Sequence, residues 1–372
     1  MTLQQPPIDS PKPHTRRALL QKLCRFMAPT LLSPLAIRKL AARPRSSHSG
    51  QDTVRFFFVT DTHYLARKES PDQMDGTSAS ICRRLVETLN QLDGQTIPDH
   101  AGGGQVGEIR GVIHGGDVVD SADKRGPVYD RMSATEFAAF QQDYGLTGQD
   151  GLLHYPVYEV YGNHDGPHGD TLVIEGIKAR NRRRPGLAHV SDNGLHYSWD
   201  WGGVHLINLG IVVGQSGPNL QRRRYAPMDS LDFLRQDLAR LSDQRQPIVL
   251  TQHIDVTRYS HPYTQDEERF LNMEWHPQDV QAFYQTIRPY HVLGNFFGHT
   301  HVRNIYGWNG SQQRQPSGDA AVTVFNGDNA SHFSGDKQAF FYVEIQNAKI
   351  LVREVITSDA WNTFQWSPQV WS

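Results

Sequence analysis

"PVYEVYGNHD", residues 156–165, is the stretch on which the reading of this chain turns. Its first half is short, apolar and rich in Val and Tyr, the composition of a buried strand. Its second half, Gly162-Asn163-His164-Asp165, sets turn formers beside an imidazole and a carboxylate. Gly, Asn and Asp alone would be punctuation. A strand that stops on Asn-His-Asp is different, because ligand sites in open α/β sheets lie at the carboxyl ends of strands. The next residues, 166–170, read as a tight loop leading away, in which His168 is the one side chain with reach toward a substrate.

The same ending recurs along the chain. "VRFFFVT" (54–60) runs into Asp61-Thr62-His63, and "RGVIHGGD" (110–117) ends on Gly116-Asp117. "PIVLTQH" (247–253) ends on His253, and "YHVLGNFFGHTH" (290–301) ends on Gly298-His299-Thr300-His301. Each cluster alone is weak evidence. Five strand ends that each deliver His, Asp or Asn are not explained by packing, since buried polar groups are costly without partners. They imply one convergent polar site. Asp61 with His63, and His299 with His301, stand at i and i+2, on one face of an extended segment. Carboxylate, imidazole and amide oxygen without thiolate suit Mn, Fe, Zn, Co or Ni. Two such pairs around a central carboxylate have the right count for two ions sharing a bridge, a geometry suited to phosphoryl chemistry.

The intervening segments alternate between helix and strand. Helices are expected at 78–93, with Ile81, Leu85, Leu89 and Leu92 on one face, at 133–144, at about 229–242 and near 277–287. Strands are expected at 195–201, 204–210, 302–308 and 321–326, and a closing hairpin at 338–356 turns at 346–349. This order predicts an α/β protein built as a layered sandwich. "HAGGGQVGE" (100–108) lacks a following Lys-Ser/Thr, so it is no phosphate-binding loop and reads as a flexible insertion.

The first 50 residues carry nine Lys/Arg against Asp9 alone, so the rest, with 38 of the 39 acids and 28 of the 37 basic residues, is strongly acidic. We therefore expect a basic N-terminal arm (1–50) and a catalytic domain (51–372) ending in the hairpin and a Trp-rich tail. "TRRALLQ" (15–21) resembles a twin-arginine export signal, and 26–37 suits its apolar region in length. Lys22 and Arg25 interrupt it, and no clean cleavage site follows. Cytoplasmic and periplasmic locations both stay open. No apolar run approaches the ~20 residues of a membrane span. The two cysteines, Cys24 and Cys82, make neither a disulfide framework nor a thiolate site.

In this order, "DTH…GD…GNHD…H…GHTH" resembles the calcineurin-like metallophosphoesterases, over residues 54 to about 356. The resemblance implies a four-layer α/β/β/α sandwich with two mixed central sheets. It implies that Asp61, His63 and His301 hold one metal ion, that Asn163, His253 and His299 hold a second, and that Asp117 bridges them. The ions would be divalent or trivalent, Mn, Fe or Zn, and a hydroxide between them would attack phosphorus in line. His164 would sit over the phosphate, and Asp165 would hydrogen-bond its imidazole. Two departures matter. Purple acid phosphatases carry a Tyr three residues after the bridging Asp, where this chain has Asp120, either an outer partner of the site or a helix cap. The protein phosphatases carry GDxVDRG, where this chain reads "GDVVDSA".

Specificity in such proteins lives on loops. The segment 255–276 reads either as a lid or leaving-group pocket built from Tyr259, His261, Tyr263 and Trp275, or as an ordinary surface insertion. The triplets Arg182-Arg183-Arg184 and Arg222-Arg223-Arg224 are read as solvated faces or as contacts to extra phosphates. Trp361, Trp366 and Trp371 recur every five residues, a spacing of neither helix nor strand, and read as an extended packed tail. The expected partner is a phosphate-ester substrate, monoester or diester. A nuclease of the same superfamily is the alternative, but the acidic body gives no nucleic-acid signal. A non-catalytic scaffold should have lost ligands, and this chain keeps them. Oligomeric state is not legible.

Overall fold

The computed structural model describes residues 53–215, 223–258, 274–318, 322–335 and 337–372. The arm (1–50), with its twin-arginine-like stretch and Cys24, lies outside these, as do Tyr259, His261, Tyr263 and Arg222.

In chain order the elements are β1 (Val54–Val59), β2 (Ala66–Arg67), β3 (Ser70–Met74), α1 (Gly76–Gln91), β4 (Val112–His114), α2 (Pro127–Tyr144), β5 (Val157–Glu159), α3 (Leu172–Asn181), β6 (Leu187–Val190), β7 (Tyr197–Trp201) and β8 (Val204–Asn208). They continue with α4 (Ser230–Leu238), β9 (Ile248–Thr251), α5 (Pro277–Ile287), β10 (Val292–Phe297), β11 (Asn304–Trp308), β12 (Val322–Asn326), β13 (Gln338–Gln346), β14 (Lys349–Thr357) and β15 (Gln365–Trp371). Two mixed sheets form the frame, ordered β15-β14-β13-β1-β4-β5 and β11-β12-β10-β9-β8-β7-β6. The first has a parallel part, β1-β4-β5, in which Phe57 pairs with Val112 and Val112 with Val157. The second has a parallel part, β12-β10-β9-β8. Antiparallel strands extend each at the side. The expected mixed α/β class with two mixed sheets is what the chain adopts.

The period of two explains how the sheets are joined. Val54, Phe56 and Phe58 of β1 and Phe341, Val343 and Ile345 of β13 share one apolar cluster with Tyr197, Trp199, Leu206, Val249, Phe296 and Phe325 of the other sheet. Phe58 meets Phe296 at 5.1 Å between ring centroids, and Phe296 stacks on Phe325 at 4.7 Å. Phe57 and Val59 point the other way, into a cluster with Leu85 and Leu89 of α1. Burial on both faces is why β1 reads as an unbroken apolar run rather than an alternation. Helix α1 packs on α2 and α2 on α3, while α4 packs on α5. Asp75 caps α1 by accepting from the Thr77 and Ser78 amides.

Several expectations need correction. Helix α2 begins at Pro127, six residues before the expected start, where Pro suits the first helical position. Helix α3 was not foreseen, and Gly176 at its centre weakens its signal. The "flexible insertion" at 100–108 is fastened: Ala101 and Val106 are buried, and Arg353 Nε donates to the Ala101 carbonyl at 2.9 Å. The Trp-rich tail is extended and packed, as expected: Trp366 and Trp371 lie on β15, which pairs antiparallel with β14 through a register shift between Arg353 and Val355, and Trp361 precedes it against Phe340. Among the described residues, no helix is long and apolar enough to cross a membrane.

Candidate metal centre

The parallel strands of both sheets end at one place. The Asp61 amide bonds the Gly116 carbonyl at 3.0 Å, the Gly298 amide bonds the His253 carbonyl at 3.0 Å, and His253 Nδ1 reaches across to the Gly115 carbonyl at 2.8 Å. Five residues there have left-handed backbone: Asp61 (φ 55), His63 (φ 46), Asp117 (φ 51), His299 (φ 72) and His301 (φ 52). Such conformations cost of order 1–3 kcal/mol each and persist only where the surroundings over-determine them. Here they turn consecutive strand ends inward. Two motif glycines make the approach possible. A Cβ on Gly162 would stand 2.2 Å from Asp117 Oδ1, and one on Gly298 would stand 2.1 Å from Asp61 Oδ2.

The expected ligand residues are brought together. His63 Nε2 lies 3.8 Å from Asp61 Oδ1, 3.7 Å from Asp117 Oδ2 and 3.2 Å from His301 Nε2. His301 Nε2 is 3.2 Å from Asp61 Oδ1. On the other side, His253 Nε2 is 3.0 Å from Asp117 Oδ2. Donor atoms of Asp117, His253 and His299 lie within 4.8 Å of one another, as do those of His63, Asp117 and His164. Asp117 belongs to both groups. Asn163 is buried, and its Oδ1 has no partner.

Electrostatics follow from this crowding. Burial alone would raise the Asp117 carboxyl, yet His253, His164 and His63 hold it far below the usual carboxylate range. Asp61 is likewise held low against burial, chiefly by His301 and His63. Burial would lower His63, but Asp120, Asp61 and Asp117 push it up to about 9. His253 is pushed up to about 9 against burial by Asp117 and Asp61. The cage thus asks for positive charge. His253 Nδ1 faces a carbonyl, an arrangement that places the proton there and leaves Nε2 bare. His63 Nδ1 faces Asp120 Oδ1 at 3.3 Å, an ion-pair contact. The Nε2 atoms of His63 and His301 at 3.2 Å, and an orphaned Asn163 oxygen, fit divalent cations of nitrogen–oxygen preference. Cys82 is not among the donors; its thiol is buried against Ser331 and the Thr62 carbonyl.

Three candidates are placed otherwise than expected. Asp165 does not touch the His164 ring. Its carboxylate turns inward and accepts from the amides of Gly162 (2.7 Å), Val119 (3.0 Å) and Val118 (3.2 Å), tying two strand ends together. Fully buried acceptors of amides are needed where two strand-end loops leave N–H groups unpaired. Burial and the Asp117 charge push its carboxyl up to about 7 despite those donors. Trp275 is 1 % exposed and lies parallel to Phe283 of α5, so it is core rather than lid. In the first arginine triplet, Arg184 is buried on Glu159 at 2.8 Å, and only Arg182 and Arg183 are exposed.

His164 keeps its position over the site without Asp165. Its amide donates to Asp117 Oδ1 at 2.8 Å, and its Nδ1 lies 3.0 Å from the Asp120 carbonyl and 3.4 Å from Asp123 Oδ1. Against burial, Asp117, Asp123 and the Asp120 carbonyl raise it to about 10. Asp120 is an outer partner, not a helix cap: it holds both His63 and Lys124, the latter at 2.7 Å. Glu274 was missed. It lies 3.1 Å from His299 Nε2 and also pairs with Arg258 and Arg224; no sequence signal marks it. His332 was missed too, although "VTVFNGDNASH" repeats the strand-then-polar ending of the other five segments. An open groove of about 530 Å³ is lined by Asp123, which faces His164 Nδ1, and by Lys124, Arg125, Asp130, His168 and Asp170 among others.

The parallel strands of two mixed sheets thus end in a thiol-free cluster of His, Asp and Asn whose donors suit a metal ion. Residues 54–303 match the family model described as calcineurin-like phosphoesterase. The chain belongs to that family, and its activity class is metal-dependent hydrolysis of phosphate esters. No curated protein matches the sequence. Similar solved structures include PhoD, at 10 % identity over 84 % of this chain and 71 % of that one, with a TM-score of 0.43. GAP50, described as the anchor in the inner membrane complex of Plasmodium, is 10 % identical over 82 % and 85 %, with a TM-score of 0.41. A metallophosphoesterase from Sphaerobacter thermophilus is 10 % identical over 85 % and 88 %, with a TM-score of 0.29.

Proposed function

We propose that this chain hydrolyses phosphate monoesters or diesters at a two-metal centre held by Asp61, His63, Asp117, Asn163, His253, His299 and His301. The observation that carries this reading is the position of Asp117, whose carboxylate belongs to a donor group on either side. Two ions bound there would supply Lewis acidity and a water of lowered pKa. The chain's own residues do the rest. Asp120 and the Gly115 carbonyl orient His63 and His253 through their Nδ1 atoms. Glu274 steadies His299. His164, its amide fixed on Asp117 and its Nδ1 on the Asp120 carbonyl, presents Nε2 and hands a proton to the departing oxygen. The groove beside it receives the leaving group. Residues 51–372 form the catalytic unit, and the arm lies apart from it in sequence.

The test uses the whole chain, stripped of metal and assayed with p-nitrophenyl phosphate and bis-p-nitrophenyl phosphate, with and without Mn²⁺. Metal-dependent turnover that Asp117→Asn abolishes is expected, and the ratio of the two rates assigns monoester or diester preference. Failure to hydrolyse either ester with metal present, together with no effect of Asp117→Asn, would overturn the proposal.

A further inference from the structure

Strand β12 carries a loop to the centre that none of the family's motif residues accounts for. Its backbone is bolted to the end of β1. The Ala330 amide donates to the Thr60 carbonyl at 2.8 Å, and Ser331 Oγ donates to the Thr62 carbonyl at 3.0 Å. Trp361 Nε1 donates to the Ala330 carbonyl at 2.6 Å, and the His332 amide donates to Asn329 Oδ1 at 3.1 Å. The loop therefore sets His332 at a defined place. Its ring centroid is 4.6 Å from that of His63 and 4.7 Å from that of His301, and one donor atom from each of the three lies within 4.8 Å of the others.

The protonation of this ring decides its role. The Ser334 amide donates to His332 Nδ1 at 3.1 Å, and Ser334 Oγ stands 2.7 Å from the same nitrogen. A peptide N–H can only donate, so Nδ1 holds a lone pair. The ring proton then sits on Nε2, the nitrogen left for the cluster. A metal ligand needs a bare nitrogen, as His253 presents when its Nδ1 donates to the Gly115 carbonyl. His332 has a donor instead. His164 also neighbours His63, with ring centroids 4.9 Å apart.

We infer that His332 is a substrate-binding residue, donating from Nε2 to a non-bridging oxygen of the phosphoryl group beside His63 and His301, and is not a further metal ligand. This rests on the phosphoesterase reading above. With His164, it gives the phosphoryl group a second imidazole donor, from a loop outside the motif set.

Inorganic phosphate is the probe. The full chain is loaded with Mn²⁺, its metal content is measured by mass spectrometry, and phosphate binding is followed by calorimetry. His332→Ala is expected to weaken phosphate binding about tenfold, the size of one hydrogen bond to a charged group, with metal content unchanged. His332→Gln, which keeps an N–H donor, recovers most of the loss. His332→Phe, which keeps the ring volume without a donor, behaves like His332→Ala and guards against a folding defect. Loss of metal from His332→Ala, or phosphate affinity equal to wild type in both His332→Ala and His332→Phe, overturns the assignment alone. A wild-type chain that holds metal but takes up no phosphate overturns this inference and the phosphoesterase reading together.

Discussion

Asp165 and His164 are neighbours in sequence and do different work. His164 is partly exposed, and with the proton-donor role proposed for it His164→Ala should lower kcat by roughly 10²–10⁴-fold, the range of a general acid. Metal content measured on the same sample should not change, since the proposed ligand set does not include its ring. Asp165 is a buried knot. Its replacement by Ala leaves the Gly162, Val118 and Val119 amides without their acceptor. A cost of about 1–3 kcal/mol per unsatisfied group is expected, read by denaturant unfolding. The residue types at this position were legible in the sequence, but their partners were not. A carboxylate beside an imidazole in the chain suggests a pair, whereas the backbone sends the two side chains in different directions.

Two polar clusters fasten individual elements to the sheets. Helix α3 docks through Arg180 and Arg184, whose guanidinium groups both reach the buried Glu159 carboxylate on β5. They hold that carboxyl down to about 2 against burial. Arg180→Ala should cost about 3–5 kcal/mol, because it strips a buried charge of a partner. Exposed Arg183→Ala should change stability by less than about 0.5 kcal/mol. Helix α4 is clamped by Asp237, which accepts from Ser198 Oγ at 2.7 Å and faces His189 at 3.1 Å and His205 at 2.8 Å. Burial would lower His205, but hydrogen bonds and charge from Asp200 and Asp237 push it up to about 9. Its folded value lies above the ordinary 6.5, so its stabilisation is complete below that pH and fades as pH rises through about 9. Between pH 6.5 and 9 the wild type should therefore lose about 1–2 kcal/mol more than His205→Gln does, read from melting curves of both. Neither cluster was visible in the chain, because charge runs look alike whether solvated or buried.

At the scale of the whole molecule, the centre stitches two sheets through their strand ends, so its occupancy should be felt globally. Metal bound only by the folded chain adds about 2.7 kcal/mol at a hundredfold excess over Kd. Chelation should lower the melting temperature by several degrees, and Mn²⁺ should restore it in a concentration-dependent way. A melting temperature indifferent to chelator would contradict the cage as the site of tight binding.

What the sequence determined by itself is what local rules govern. Strand and helix periods, caps and turn residues are short-range energies, so "VRFFFVT", "PVYEVYGNHD" and "YHVLGNFFGHTH" could be read as strands ending in donors. Their shared ending was enough to expect one site and a mixed α/β frame. Tertiary structure alone decided which loops meet. Glu274 reaches His299 across 25 residues, Ser331 reaches the Thr62 carbonyl across 269, and His332 stands against His301 because β12 lies beside β10 in the sheet. No period or turn preference encodes such contacts. They exist because hydrogen-bonded strand order, set by the packing of the two sheets' apolar faces, brings distant chain ends to one edge.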